Sequence, residues 1–234
     1  MIGWEREGLL RDREEAGRLL AERLGAYRER AGALILALPR GGVAVGYAMS
    51  LALRLPLDVL IVRKLGAPGN PEYAIGAVAE NGSVYLNPEA PVVLREFGVG
   101  REYIDRAERQ QQGEIARRRT LYRHGRPLPD VHGREVLLVD DGIATGATFK
   151  AALEALRHQG ARRVVAAIPV GPAETIRALR GQVDELTVLF TPEPFFAVGN
   201  HYEEFSQVGD EAVLAYLAGA FHPPTEETAG SRPA

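Results

Sequence analysis

Short apolar runs alternate with longer amphipathic stretches along this chain. Ala33–Leu38, Asp58–Val62, Glu135–Val139 and Val164–Val170 are nearly continuous in apolar residues, the pattern of strands buried on both faces, and Val183–Phe190, interrupted by Asp184, Glu185 and Thr187, reads as a further strand. Between them lie helical patterns. Leu9, Ala16, Leu20, Leu24 and Tyr27 form a stripe that predicts a helix over Leu9–Ala31, and further helices are expected over Val43–Arg54, up to about His158 and near Ala173–Leu179. Residues 101–123 read as a long, very polar helix. Ala74–Glu80 and Ser83–Leu86 flank Asn81-Gly82, a hairpin dipeptide, whereas Lys64–Pro71 reads as a loop rich in Gly and Pro. Strands alternating with helices predict an α/β fold, an open, mainly parallel sheet with helices on both faces.

Composition narrows the class. The 234 residues leave room for one large domain. It is expected over 1–222, with a helix at 9–31 ahead of a core at about 32–190, and a loose polar tail at 223–234. Net charge −3 gives no general pull toward nucleic acid or an acidic membrane. No apolar run approaches the roughly 18 residues that span a bilayer. The first residues, Met1-Ile-Gly-Trp-Glu-Arg-Glu7, become charged without an apolar segment, so a cytoplasmic protein is expected. The absence of cysteine excludes disulfides, thiolate metal sites and a cysteine nucleophile. Lys64 and Lys150 are the only lysines among 28 basic residues, which makes each more noteworthy than any one arginine.

The chemistry concentrates in Val136-Leu-Leu-Val-Asp-Asp-Gly-Ile-Ala-Thr-Gly-Ala-Thr-Phe149. An apolar strand ends in two adjacent carboxylates, followed by a loop of small residues with two threonines, then a helix. The carboxyl ends of strands form the ligand crevice of an open α/β sheet. A helix start there offers free N–H groups to an anion. Gly142, Gly146 and Ala147 let the backbone approach a phosphate, and Thr145 and Thr148 add hydroxyls. The acids repel phosphate and suit ribose hydroxyls or a metal held near the phosphate. The spacing is not that of a Walker A loop, which requires GxxxxGK[ST].

This segment resembles the phosphoribosyl-diphosphate motif of the type I phosphoribosyltransferases. The resemblance implies a Rossmann-like core with a small variable hood, here expected at 191–222. It implies transfer of the 5-phosphoribosyl group from phosphoribosyl diphosphate to a nitrogenous base, with Mg²⁺ bound to the donor and pyrophosphate released. Carried over, Ile143, Ala144, Thr145, Gly146, Ala147 and Thr148 would cradle the 5′-phosphate, and the reacting ribose would lie on Asp140 and Asp141. A homodimer and a small heteroaromatic base as acceptor are further implications, with no direct protein-only metal site.

Other segments support the resemblance more weakly. Leu38-Pro-Arg-Gly-Gly42 matches the family's pyrophosphate loop through Arg40 and Gly41, although Arg-Gly-Gly alone reads better as a plain tight turn. Arg63 and Lys64 end the second strand and would reach the pyrophosphate ahead of a mobile loop. A solvated basic pair is the competing reading. Phe195 and Phe196 in the hood would stack on a base, or simply pack the core. Residues 101–126 carry eight arginines. They read as an ion-paired, solvated helix rather than a nucleic-acid face, which leaves a donor-sensing regulator that binds nucleic acid or a protein as the alternative function. In the resembled family an aspartate just before Thr-Gly-x-Thr accompanies hypoxanthine and guanine; here that position is Ala144.

Overall fold

The computed structural model describes residues 9–222. The expected tail at 223–234 and the charged first residues lie outside them. Five parallel strands form the main sheet, in the order β2 (Leu57–Val59), β1 (Ala33–Ala37), β6 (Glu135–Val139), β7 (Arg163–Val170), β8 (Glu185–Phe190). Alternation along these strands sorts the core into two layers. Leu34, Leu36, Val136, Leu138, Ala166 and Ile168 pack against Phe149, Ala152 and Leu156 of α5 (Ala147–His158). Ile35, Leu137, Val139, Val165 and Ala167 face the other way, onto Leu20 of α1 (Arg13–Arg23) and Val45, Met49 and Leu53 of α2 (Gly41–Leu53). Helices therefore cover both faces, as the continuous apolar runs require.

The expected helix over 9–31 is shorter. Asp12 caps α1 by accepting from the Glu15 N–H at 2.7 Å, and a 3-10 turn at Gly25–Tyr27 follows it. The region after β2 differs more. The expected loop at 64–71 is part of a second, antiparallel sheet formed by β3 (Val62–Ala67), β4 (Asn70–Ala79) and β5 (Val84–Leu86). Its Gly-Pro content has two local uses. Pro68-Gly69 makes the turn between paired Ala67 and Asn70, with Gly69 at φ +73°, and the register shifts on either side of Gly66.

The long polar helix α4 (Arg101–Arg123) packs on β3 through Ile104, Ile115 and Tyr122. It ends at His124 and Gly125, both at positive φ. Two further helices, α3 (Ala90–Glu96) and α7 (Asp210–Gly219), were not legible as elements, and α6 (Ala173–Arg180) matches its expected position. Among the described residues no helix is long and apolar enough to cross a membrane.

Candidate active site

β1 and β6 are adjacent and parallel, pairing Ala37 with Val139, so the loops leaving their carboxyl ends lie side by side. Leu38 N–H donates to the Val139 carbonyl at 2.9 Å, carrying the contact one step beyond the strands. The β1 loop supplies Arg40 and Gly41, the latter opening α2. The β6 loop supplies Asp140 and Asp141, then turns into α5 through Gly146, whose φ of +76° favours glycine at the cap. The Pro39–Arg40 peptide bond is cis.

Seven of the residues singled out in the sequence converge on one cavity of about 650 Å³: Arg40, Gly41, Arg63, Lys64, Asp140, Asp141 and Thr148. Ile143, Ala144, Thr145, Gly146 and Ala147 line an adjoining pocket of about 250 Å³, which shares Lys64, Asp140, Asp141 and Thr148 with the first. The first turn of α5 therefore opens onto the same space as the acid pair. Lys64 stands on β3 opposite that loop, exposed, so the second sheet supplies a cation to the crevice of the first. Among the described residues Lys64 makes no ion pair.

The acid pair is asymmetric. Asp140 Oδ1 accepts the Asp141 N–H at 2.9 Å. Enclosure, then the neighbouring Asp141 charge, push the Asp140 carboxyl well above the usual carboxylate range, against the pull of Lys64. Asp141 Oδ2 instead accepts from Arg13 Nε at 2.7 Å, and its carbonyl accepts from Tyr202 Oη at 2.6 Å. Burial foremost, then the Asp141 charge, raises the Tyr202 phenol, which keeps it a proton donor.

One wall was not foreseen. Tyr103, Ala107, Gln110, Gln111 and Arg118 of α4 line the larger cavity. Tyr103 Oη donates to the Gly66 carbonyl at 2.9 Å and Arg63 Nε to Gln111 Oε1 at 3.1 Å, anchoring the helix on β3. Arg118 is 8% exposed and paired with Glu114 at 2.7 Å. Burial, then the Arg118 charge, lowers the Arg63 guanidinium from its ordinary value. The available signal was the helical spacing of Tyr103, Ala107 and Gln111 in steps of four, with Arg118 on the same face. The stretch is therefore not wholly solvated. Arg101, Arg117, Arg118 and Arg123 are engaged by Asp105, Glu114, Asp210 and Glu80.

Phe195 and Phe196 line none of these pockets. Phe195 stacks on His201, with ring centroids 5.3 Å apart, and Phe196 is 79% exposed. Val198, from the same segment, does reach the smaller pocket.

Comparison with known proteins agrees with this architecture. A family model described as a phosphoribosyl transferase domain matches residues 11–203. Two Mycobacterium tuberculosis proteins, from strains CDC 1551 and H37Rv, are each 45% identical over 209 residues, 89% of this chain and 46% of the relative. The H37Rv protein bears the name "Putative phosphoribosyl transferase Rv0571c". The chain thus spans about half the length of the curated relatives it matches. The crystal structure of TT1426 from Thermus thermophilus is similar at 42% identity and a TM-score of 0.74, covering 89% of this chain and 97% of that one. The acid pair, threonine loop and opposing basic turn thus sit where the family model matches, and the chain belongs to the phosphoribosyl transferase domain family.

Proposed function

We propose that this chain transfers the 5-phosphoribosyl group of phosphoribosyl diphosphate to a nitrogenous base. The observation that carries this reading is the convergence of the acid pair, the threonine loop, the Arg40-Gly41 turn and Lys64 on one connected crevice. Each group suits one part of the donor. The N–H groups of residues 144–148 and the hydroxyls of Thr145 and Thr148 hold the 5′-phosphate at the positive end of α5, whereas the Ile143 N–H is already taken by the Val170 carbonyl at 2.9 Å. Asp140 and Asp141 accept hydrogen bonds from the ribose hydroxyls. Arg40, Gly41, Arg63 and Lys64 hold the pyrophosphate.

The reaction breaks the bond from C1 to the diphosphate oxygen, which departs with the electron pair. The base's lone pair forms the new C1–N bond, and the base nitrogen gives up its proton to solvent. Positive charge grows at C1 and the ring oxygen in the transition state, close to the two carboxylates. Negative charge grows on the leaving group beside Arg40 and Lys64. On this reading anions meet the cationic end of the transition state and cations the anionic end.

Carboxylate oxygens are the donors that Mg²⁺ takes, and a diphosphate completes such a set, so Asp140 and Asp141 fit a donor carrying the ion. Bound there, Mg²⁺ would offset the charge developing on the leaving group. The acceptor would enter from the side of residues 195–198, where the exposed Phe196 offers an aromatic face. The ion pairs along α4 favour catalysis over the nucleic-acid-binding alternative, because they engage Arg101, Arg117, Arg118 and Arg123 within the fold.

Pyrophosphate release tests the reading, with donor and Mg²⁺ supplied to a panel of heteroaromatic bases. At least one base should support release, and Asp140→Asn and Asp141→Asn should each abolish most of it while remaining folded. Release unchanged in both variants would sink the assignment.

A further inference from the structure

The second carboxylate of the motif is held by side chains far from it in sequence. Arg13, in the first turn of α1, donates Nε to Asp141 Oδ2, and the two side chains are only 11% and 16% exposed. The guanidinium is fixed in turn. Its Nη1 donates to the Ser206 carbonyl at 2.9 Å, and its Cζ lies 3.8 Å from the centroid of the Phe205 ring. Phe205 stacks on Tyr202 at 4.9 Å, and Tyr202 bonds the Asp141 carbonyl. Backbone bonds from Leu10 N–H to His201 and from the N–H groups of Glu203 and Glu204 to Leu10 and Arg11 join the two segments into one unit.

That unit closes on one oxygen of Asp141 and leaves the other. Oδ2 is enclosed by Arg13 and by the Gly41 backbone, where an added β-carbon would fall 3.1 Å from Arg13 Nε. Arg13 takes Oδ2 and not Oδ1, the neighbouring Asp140 side chain also bonds that of Asp141, and Asp141 lines both the large cavity and the adjoining smaller pocket. An arginine restrained by a ring, a carbonyl and a carboxylate has little freedom left to lose. A carboxylate held this way meets its ligand already oriented.

We propose that Arg13 is a positioning residue for the donor: clamped by Phe205 and Ser206, it turns Asp141 so that Oδ1 faces the ribose. The N-terminal helix and residues 201–206 thereby form part of the donor site without touching the donor. This rests on the donor reading of the crevice. A tie that merely fastens the N-terminal segment to the core would also form an ion pair, but its loss would act on stability and not on ligand affinity.

Calorimetry with ribose 5-phosphate separates the two, using wild type, Arg13→Gln, Asp141→Asn and the double variant, all below their melting temperatures. Arg13→Gln should weaken binding about tenfold, the size expected when a charge-assisted bond no longer fixes its acceptor. In the Asp141→Asn background the same change should weaken binding less than twofold, because the group it orients is already altered. Should Arg13→Gln not fold, Phe205→Leu replaces it in the same cycle, with a loss of about threefold that again vanishes in the Asp141→Asn background. Wild-type affinity in the single variant, or losses that multiply in the double variant, would overturn the proposal. If wild type itself binds no ribose 5-phosphate, the donor reading falls and the proposal falls with it. Tight wild-type binding with an unaffected Arg13 variant removes only the role of Arg13.

Discussion

Gly41 and Asp141 meet backbone to carboxylate: a β-carbon built on Gly41 would lie 1.8 Å from Asp141 Oδ2. The next residue is as tightly placed, since a β-carbon on Gly42 would lie 2.9 Å from the Asp140 Cα and 3.0 Å from the Val139 carbonyl. Neither glycine has a positive φ. Their role is space rather than turn conformation. The β1 loop must pass over the β6 loop without side chains between them, and only then do Arg40 and the acid pair share a crevice.

Gly41→Ala should therefore displace the Asp141 carboxylate and break its bond to Arg13. The expected cost is about 1–3 kcal/mol of stability, as for other overpacked sites, with ribose 5-phosphate affinity down about tenfold or more. Gly181→Ala is the control, because an added β-carbon there meets nothing within 4 Å and the φ is negative. Thermal melts and calorimetry on both variants would check this. Equal affinity in Gly41→Ala and wild type would refute it.

Parts of this arrangement were legible in the sequence because they rest on local signals. β1, β6 and β7 announce themselves as apolar runs, and α4 matches its expected span of 101–123. The acid pair and threonine loop form one uninterrupted segment. The hairpin at Val62–Ala79 was half hidden: Gly and Pro signal a turn, but not that the residues on both sides pair. Arg13 carries no local mark at all, since it is one arginine among many and its partner Asp141 is distant in sequence. Arg118 was obscured similarly, because a polar helix reads as solvated until β3 packs against it. α7 was missed because residues beyond 191 depart from the strand–helix pattern and Val213 is its one fully buried residue.

Asp140 gives a pH dependence with a defined sign. Its pKa is raised in the folded chain, by enclosure and by Asp141, so the folded state binds protons more tightly than the unfolded chain. Stability from this group is greatest below the ordinary carboxylate range and declines as pH rises toward its elevated value. Asp140→Asn should remove that decline and raise the melting temperature at neutral pH. Melts between pH 4 and 8 would show it; a variant whose profile parallels wild type would contradict the assignment. Donor affinity should also fall on acidification at a higher pH than ordinary carboxylates titrate, and that limb should disappear in the same variant.

Thr148 stands at the first turn of α5 and lines both adjoining pockets. Thr148→Val keeps the shape and removes one hydroxyl. Affinity for ribose 5-phosphate should fall about ten- to a hundredfold, the worth of one hydrogen bond to a charged group, while the Michaelis constant for the base changes little. An undiminished affinity would argue that the phosphate does not rest on this turn.

The acceptor prediction turns on Ala144. Its carbonyl is engaged by Thr175 Oγ1 at 2.7 Å, which fixes the loop, but its side chain offers no acceptor or proton-handling atom. A purine that depended on an acid at that point would leave a polar edge unpaired, at a cost of about 1–3 kcal/mol. Hypoxanthine and guanine should therefore be poor acceptors, and another purine or heteroaromatic base should be preferred. A competing source of a carboxylate is Glu174, which with Glu89, Ala144, Thr145, Lys64 and Lys150 lines a further cavity of about 470 Å³. A panel of bases with labelled donor separates these possibilities when run on wild type, Ala144→Asp and Glu174→Gln. Ala144→Asp should raise guanine turnover about tenfold, the equivalent of restoring one such bond. Efficient guanine turnover by wild type would refute the inference from Ala144, and its loss in Glu174→Gln would identify the carboxylate that stands in.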